Sequence, residues 1–527
     1  MAKNNRKDNK LNNSCPPACF IIVDGMGISK NKIGNAYYQS GNLFIKKIVK
    51  EYPTSILETH GKAVGLPRDI VGSSEVGHTN LGAGRMVEQD ITIINKEIKN
   101  KSFFKNPVIL KAMKKAKKNN SALHFMGLLS DGNVHSNTRH LFALLDMAKK
   151  EKVKRVFIHV FTDGQDVDPI SGINYIRKLI NKTRKIGIGK IATISGRYYA
   201  MDRVERWSRI SGVHKAIAEG IDHYQKDPIE TLKKFYEQKI YDQFIPPTVF
   251  VDDRGKPIGK VEANDSVIFF NLRSDRARAL TKTFVKPEAL GIKNHPKKLK
   301  NLYFVALTNF GEDLPVKIAY NRGDFENTLP KAIADSDHIR QLYVAESEKF
   351  PHITYFFHGL SSKPLRNENR IKIDSKNIPT YDLDPSMSAE GVFREVVDAI
   401  DRGICEFIGV NFANPDMLGH TGNLKATIKG LQFVDKKIRV IVNKILKKNG
   451  YIFLVSDHGN CDEMIDPKTK RELTSHTKNP VYFSIISNRK DIRIKKNGRL
   501  SNAAPTVLKV LEIKKPKGWD KDLIINK

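Results

Sequence analysis

Six side chains near the two ends of the chain share one kind of chemistry. Asp24 follows one apolar run, Asp416 and His420 follow another, Asp457 and His458 a third, and His476 lies in the loop-like TSHTKNP. Carboxylates and imidazoles are ligands of first-row divalent metals, and this mixture of oxygen and nitrogen suits Mn²⁺, Zn²⁺ or Fe²⁺ better than Mg²⁺ or Ca²⁺. Taken singly, each has a plainer reading. Residues four apart share a helix face by geometry alone, and an Asp-His pair can simply cap a turn. Taken together, three Asp and three His suffice for two metal sites once a serine oxygen joins them. Ser74, in Val71-Gly-Ser-Ser-Glu-Val-Gly-His78, supplies that oxygen. The stretch has no Gly-x-Ser-x-Gly elbow, and a histidine adjacent in sequence is not a triad. Two ions about 4 Å apart lower the pKa of a coordinated hydroxyl and clamp a phosphoryl group, so Ser74 needs no histidine base.

A second set occupies the middle of the chain: His135, Asp163, Asp166, Arg197, Arg203, Arg273 and Arg276. It is rich in arginine, whose planar fork matches phosphate and carboxylate oxygens.

Both sets need elements to position them. Short β-branched or aromatic runs alternate with polar loops and helix-period stretches, the pattern of parallel α/β sheets. The strand candidates are Cys19–Val23, Leu123–Leu129, Arg155–Phe161, Ile191–Ile194, Val267–Asn271, Tyr303–Leu307, Phe407–Asn411 and Tyr451–Val455. Leu424, Ile428, Leu431, Val434, Ile438, Val442 and Ile445 recur at helical steps, and Gly450 supplies the expected stop. Ligands of such sheets bind beyond the carboxyl ends of the strands, where nearly all the chemistry-bearing residues fall. Metal-type residues flank the anion-type residues in sequence. The simplest architecture is therefore two α/β domains, one discontinuous and the other inserted into it. The expected divisions are a disordered basic tail over 1–16, a metal-binding domain over 17–88 and 322–527, and an inserted substrate-binding, transferase domain over 89–321.

Length and composition agree with that reading. A chain of 527 residues exceeds what one core usually organises, and 40% hydrophobic with 28% charged residues is globular. The net charge is +33, yet no nucleic-acid-binding motif accompanies it, so no nucleic-acid partner is expected. Four cysteines, Cys15, Cys19, Cys405 and Cys461, fit neither a disulfide framework nor a zinc pattern, which suits a reducing, cytoplasmic setting. No apolar run reaches transmembrane length, and no membrane partner is expected.

The motifs, in order, resemble those of the cofactor-independent phosphoglycerate mutases: DGMG at 24–27, VGSSEVGHTNLGAGR at 71–85, GLLSDGNVHS at 127–136 and SGRYYAMDR at 195–203, then NLRSDRAR at 271–278, AESEK at 345–349, NFANPDMLGH at 411–420 and VSDHGNCDEM at 455–464. The resemblance implies an alkaline-phosphatase-like metal domain and a monomer that interconverts 3-phosphoglycerate and 2-phosphoglycerate. It implies two Mn²⁺, with Zn²⁺, Fe²⁺ or Co²⁺ acceptable. Asp416, His420 and His476 would hold one ion, and Asp24, Ser74, Asp457 and His458 the other. Ser74 would be the nucleophile, Lys349 would balance phosphoryl charge, and Asp166 would shuttle a proton. His135, Gln165, Asp166, Arg197, Arg203, Arg273, Arg276 and Lys349 would bind substrate, with the inserted domain closing to exclude water. One departure matters: the family's DGRD reads Asp163-Gly-Gln165-Asp166, a neutral amide where an arginine would grip an anion. Asn133 and Asn137, flanking His135, are smaller departures. A phosphatase or another phosphomutase of the same superfamily is the alternative.

Overall fold

The computed structural model describes residues 16–203, 206–321, 325–336 and 339–525. The tail expected over 1–16 lies outside the described residues except for Pro16. The chain divides into two compact units, Met1–Gln89 with Gly323–Lys527, and Asp90–Arg322. Each is built on an eight-stranded sheet, so the fold is α/β with one unit discontinuous in sequence.

In the discontinuous unit the strand order is Glu368–Ile373, Gln341–Glu346, Phe407–Phe412, Ala18–Val23, Tyr451–Val455, Val481–Ile486, Thr54–Glu58, Asn497–Arg499. The first five run parallel. Ala18–Val23 sits between two parallel neighbours and is buried throughout, which is why it reads as an unbroken apolar run rather than an alternating one. Val481–Ile486 turns antiparallel to both its neighbours. Helix Leu424–Lys447 covers one face, burying Leu431, Val434, Ile438, Ile441, Val442 and Ile445, and Asn423 caps its start by accepting from the Ala426 N–H. Its end corrects the expected stop. Asn449, not Gly450, takes the left-handed conformation at φ 53°, while the Gly450 N–H closes onto the Ile445 carbonyl. Gly450 serves close packing instead, since a Cβ there would meet the Pro17 carbonyl oxygen at 2.2 Å.

In the other unit the order is Lys317–Tyr320, Tyr303–Thr308, Ser266–Phe269, Leu123–Leu128, Val156–Thr162, Lys190–Gly196, Thr248–Phe250, His223–Gln225. All pairs are parallel except Lys190–Gly196 with Thr248–Phe250. Met126, Leu128, Phe161, Val267, Phe269 and Phe304 form the centre of its core. All eight strand candidates form, with ends displaced by two residues at most. The remaining strands are mainly edge or short ones, apart from the interior Val481–Ile486 and Gln341–Glu346, the latter fully buried although glutamine and glutamate bound it. No helix among the described residues is long and apolar enough to cross a membrane.

Candidate active site

Each unit gathers its own cluster at the carboxyl ends of its parallel strands. In the discontinuous unit, Asp24 follows Ala18–Val23, Asp416 follows Phe407–Phe412, and Asp457 with His458 follows Tyr451–Val455. Ser74 is the first residue of helix Ser74–Ala83, whose N-cap Ser73 accepts from the Val76 N–H. Two glycines make this convergence sterically feasible. Gly25, at φ 74°, passes so close to Asp416 that a Cβ would lie 2.7 Å from its Cα, and a Cβ on Gly77 would lie 2.6 Å from the Asp457 carbonyl oxygen.

Lys349 is the centre of the cluster. Its buried ammonium donates to Ser74 Oγ at 2.6 Å, Asp416 Oδ2 at 2.6 Å and Asp24 Oδ1 at 2.8 Å. Ser74 Oγ in turn lies 2.9 Å from His458 Nε2 and 3.3 Å from Asp24 Oδ1. Burial, followed by the charge of Asp457, pushes the Asp24 carboxyl up from its ordinary value. Burial pushes Asp416 the same way, but Lys349 and His420 override it and hold that carboxyl well down.

The histidines fit a divalent ion. His420 Nδ1 donates to the Thr474 carbonyl at 2.7 Å and His476 Nδ1 to the Gly72 carbonyl at 2.9 Å. In the neutral form that a metal requires, both Nε2 atoms are thereby left as lone pairs, 3.1 Å apart and 3.4 and 3.3 Å from Asp416 Oδ1. Three acceptors converging on one point need a cation among them, and outer hydrogen bonds of this kind orient metal-binding imidazoles. Burial and the neighbouring His458 hold His476 down at about 4, in the neutral form that binds metal. The donor atoms of Asp24, Asp416 and His458, and of Asp24, His78 and Asp457, also lie within 4.8 Å of one another.

His78 and Asn411 are site residues that the sequence reasoning missed. Asn411 Nδ2 donates to Asp24 Oδ2 at 2.8 Å and to His78 Nε2 at 2.9 Å, and His78 Nδ1 lies 3.1 Å from Asp457 Oδ2. A chain of polar contacts thus ties the two carboxylates together behind Ser74. The available signal was the spacing of His78, one helical turn beyond Ser74.

In the inserted unit, Arg197 Nη1 bridges Asp163 Oδ1 at 2.6 Å and Asp166 Oδ2 at 2.9 Å. The N–H groups of Gln165 and Asp166 donate to the same Asp163 oxygen at 3.2 and 3.0 Å, while the Gln165 side chain is exposed. Arg273 Nη2 and Arg203 Nε stand 3.4 and 3.9 Å from Asp275 Oδ2, and Arg276 Nη1 donates to the Met201 carbonyl at 3.2 Å. His135 is buried among these groups. Desolvation first, then the Arg273 guanidinium, hold its imidazole well below the ordinary value. Asp275, the carboxylate between the arginines, was also missed; it lies two residues after Arg273 in NLRSDRAR.

Residues 94–312 match the family model described as the BPG-independent PGAM N-terminus. A 2,3-bisphosphoglycerate-independent phosphoglycerate mutase of Clostridium perfringens (strain 13 / Type A) is 42% identical over 513 residues, covering 97% of this chain and 99% of that one. The protein of the same name from Methanococcoides burtonii is 42% identical over 506 residues, covering 95% and 96%. This chain belongs to the 2,3-bisphosphoglycerate-independent phosphoglycerate mutase family. Among solved structures of the family, Leishmania mexicana phosphoglycerate mutase, crystallised at low cobalt concentration, superposes with a TM-score of 0.83 at 26% identity, covering 98% of each chain.

Proposed function

We propose that the chain interconverts 3-phosphoglycerate and 2-phosphoglycerate through a phosphoserine on Ser74, without 2,3-bisphosphoglycerate. The observation that carries this reading is Ser74 Oγ held 2.6 Å from the Lys349 ammonium in a buried cluster of Asp24, Asp416 and His458. A serine so placed is a phosphoryl acceptor with positive charge already beside the oxygens that gain charge.

Asp416, His420 and His476 would hold one divalent ion and Asp24, Ser74, Asp457 and His458 another, Mn²⁺ in this reading, and the pair would supply Lewis acidity to the transfer. Ser74 Oγ, its proton given up to solvent beforehand and its charge held by the Lys349 ammonium, forms the new P–O bond as the bond from phosphorus to the glycerate oxygen breaks. Lys349 offsets charge on the equatorial oxygens. Arg197, Arg203, Arg273 and Arg276, with His135, are assigned to the carboxylate and phosphate oxygens of the substrate, and Gln165 offers a neutral amide. Asp166 passes a proton to the departing alkoxide and removes one from the other hydroxyl, which then takes the phosphoryl group back from Ser74. The reading is of a cytoplasmic monomer acting on a small molecule.

Phosphorus NMR of 3-phosphoglycerate with the protein and Mn²⁺, in the absence of 2,3-bisphosphoglycerate, tests it. A growing 2-phosphoglycerate signal, abolished by Ser74→Ala, is the expected result. Release of inorganic phosphate instead would make the protein a phosphatase and overturn the assignment.

A further inference from the structure

The formal charge of +33 exceeds what a small anionic substrate requires, and the inserted unit concentrates part of it on one edge. Five parallel strands stand side by side there: Tyr303–Thr308, Ser266–Phe269, Leu123–Leu128, Val156–Thr162 and Lys190–Gly196. Their entrances are level. Leu123 pairs in register with Val156 and with Ser266, Ser266 with Tyr303, and Phe157 with Lys190. At about 4.8 Å per strand, the five entrances span roughly 20 Å.

The segments leading into these strands are basic. Lys152, Lys154 and Arg155 precede one, and Lys297, Lys298 and Lys300 precede another, all exposed. Within six residues of the five strand starts there are three carboxylates. Glu262 faces Lys260 at 3.4 Å, and Asp265 is buried beneath His124 and the Ala122 N–H, which leaves half-buried Glu151. Helix ends have an ordinary reason to be basic, because cations complement the C-terminal dipole. That reason covers Lys117, Lys118, Lys149, Lys150, Arg184 and Lys185, in the last turns of three helices. It does not cover the lysines of the strand-leading loops. Nor does the substrate chemistry, because Asp163, Asp166 and Arg197 lie past the opposite ends of the strands.

Among the described residues, none of the large exposed apolar side chains belongs to these lead-in segments. The edge therefore offers no apolar anchor for a bilayer and no aromatic hot spot for a protein partner. A nucleic-acid duplex carries one charge per about 1.7 Å of its axis, so roughly 20 Å of it presents about a dozen phosphate charges to such an edge. We propose that the strand-entrance edge of the inserted unit binds the phosphate backbone of a nucleic acid, irrespective of base sequence and apart from the phosphoglycerate chemistry. No sequence motif announces such a surface because its lysines come from distant segments that only the sheet brings level.

The test is fluorescence anisotropy of a labelled DNA duplex of about two helical turns with the full chain, over about 50–200 mM salt. The parent protein is expected to bind with a steep salt dependence. Reversing Lys152, Lys154, Lys298 and Lys300 to glutamate together should weaken binding at least tenfold and flatten the log–log slope by about 3.6, at about 0.9 for each phosphate no longer neutralised. Mutase turnover and the unfolding midpoint should not change. The same four positions changed to glutamine give a second variant should the reversal disturb folding. The proposal is overturned if the parent does not bind at low salt, or if the variants bind with the parent's affinity and slope. Capture by phosphatidylserine vesicles without duplex binding would equally overturn it, by assigning the edge to lipid.

Discussion

Lys349→Met removes a buried ammonium that touches three partners: Asp24 Oδ1 at 2.8 Å, Asp416 Oδ2 at 2.6 Å and Ser74 Oγ at 2.6 Å. Methionine keeps much of the side chain's length and apolar stem, so the change is mainly one of charge. Breaking a buried ion pair by deleting one partner costs about 3–5 kcal/mol, because the remaining charge is left without compensation. At about 2–4 °C per kcal/mol for a domain of this class, the variant should unfold roughly 6–20 °C lower than the parent in the presence of a chelator. The deficit should shrink as the pH falls. The Asp24 carboxyl, already pushed up by burial and the charge of Asp457, rises further without Lys349, so the folded state binds more protons there than the unfolded one and lowering the pH favours it. Added Mn²⁺ should close the gap in stability, since a divalent ion restores the missing positive charge. Turnover should stay about 10²–10³-fold low, the usual cost of losing one group aimed at developing negative charge. Calorimetry across pH with and without Mn²⁺, beside steady-state kinetics, separates the two effects. An unchanged midpoint in chelator would refute the charge-balance argument, and normal turnover would remove Lys349 from the chemistry.

Three further outcomes are expected. Gln165→Arg should lower KM about 10–100-fold if the amide is a weakness, since a charge-assisted hydrogen bond contributes about 1.5–3 kcal/mol; an unchanged KM would mean that the neighbouring guanidiniums already suffice. Burial holds His140 at about 3 and His214 at about 4, so the folded unit refuses protons that the unfolded chain accepts below ~6.5. Stability should therefore fall by about 2 kcal/mol per histidine between pH 7 and 5, and His140→Gln with His214→Gln should flatten denaturant midpoints over that range. Gly77→Ala, whose new Cβ would lie 2.6 Å from the Asp457 carbonyl oxygen, should cost about 1–3 kcal/mol and weaken Mn²⁺ binding by titration calorimetry. Parental affinity there would show that the helix can shift without moving Asp457.

The strands, and the polar residues just beyond them, were legible in the sequence because a buried parallel strand is an apolar run and its carboxyl end exposes whatever comes next. Partnerships across the sheet were not. Lys349, at the end of Gln341–Glu346, meets Asp24 and Asp416 only because that strand is two places from Ala18–Val23, with Phe407–Phe412 between them. Asn411 looks like the last polar residue of a strand, yet it joins Asp24 to His78. Asp275 lies in a run of arginines and reads as charge variety until Arg203 and Arg273 are found facing the same one of its oxygens. The misplaced helix stop has a local cause: asparagine tolerates the left-handed conformation well enough to end a helix, which freed Gly450 for a close approach.

Asp166 shows why these partnerships bear on the chemistry. A proton shuttle must hold a proton part of the time, and a solvated aspartate would stay ionised throughout the neutral range. Burial, the largest influence, raises the Asp166 carboxyl and the negative Asp163 adds to it, while Arg197 pulls it back down. The same Nη1 that bonds Asp166 also bonds Asp163, so the guanidinium is divided between two carboxylates and neutralises neither fully. In the proposed mechanism that division is what would let Asp166 take a proton from one hydroxyl and return it to another. Arg203, Arg273 and Arg276 meanwhile share the single carboxylate of Asp275 and so retain an excess of positive charge, as the proposed anion binding requires.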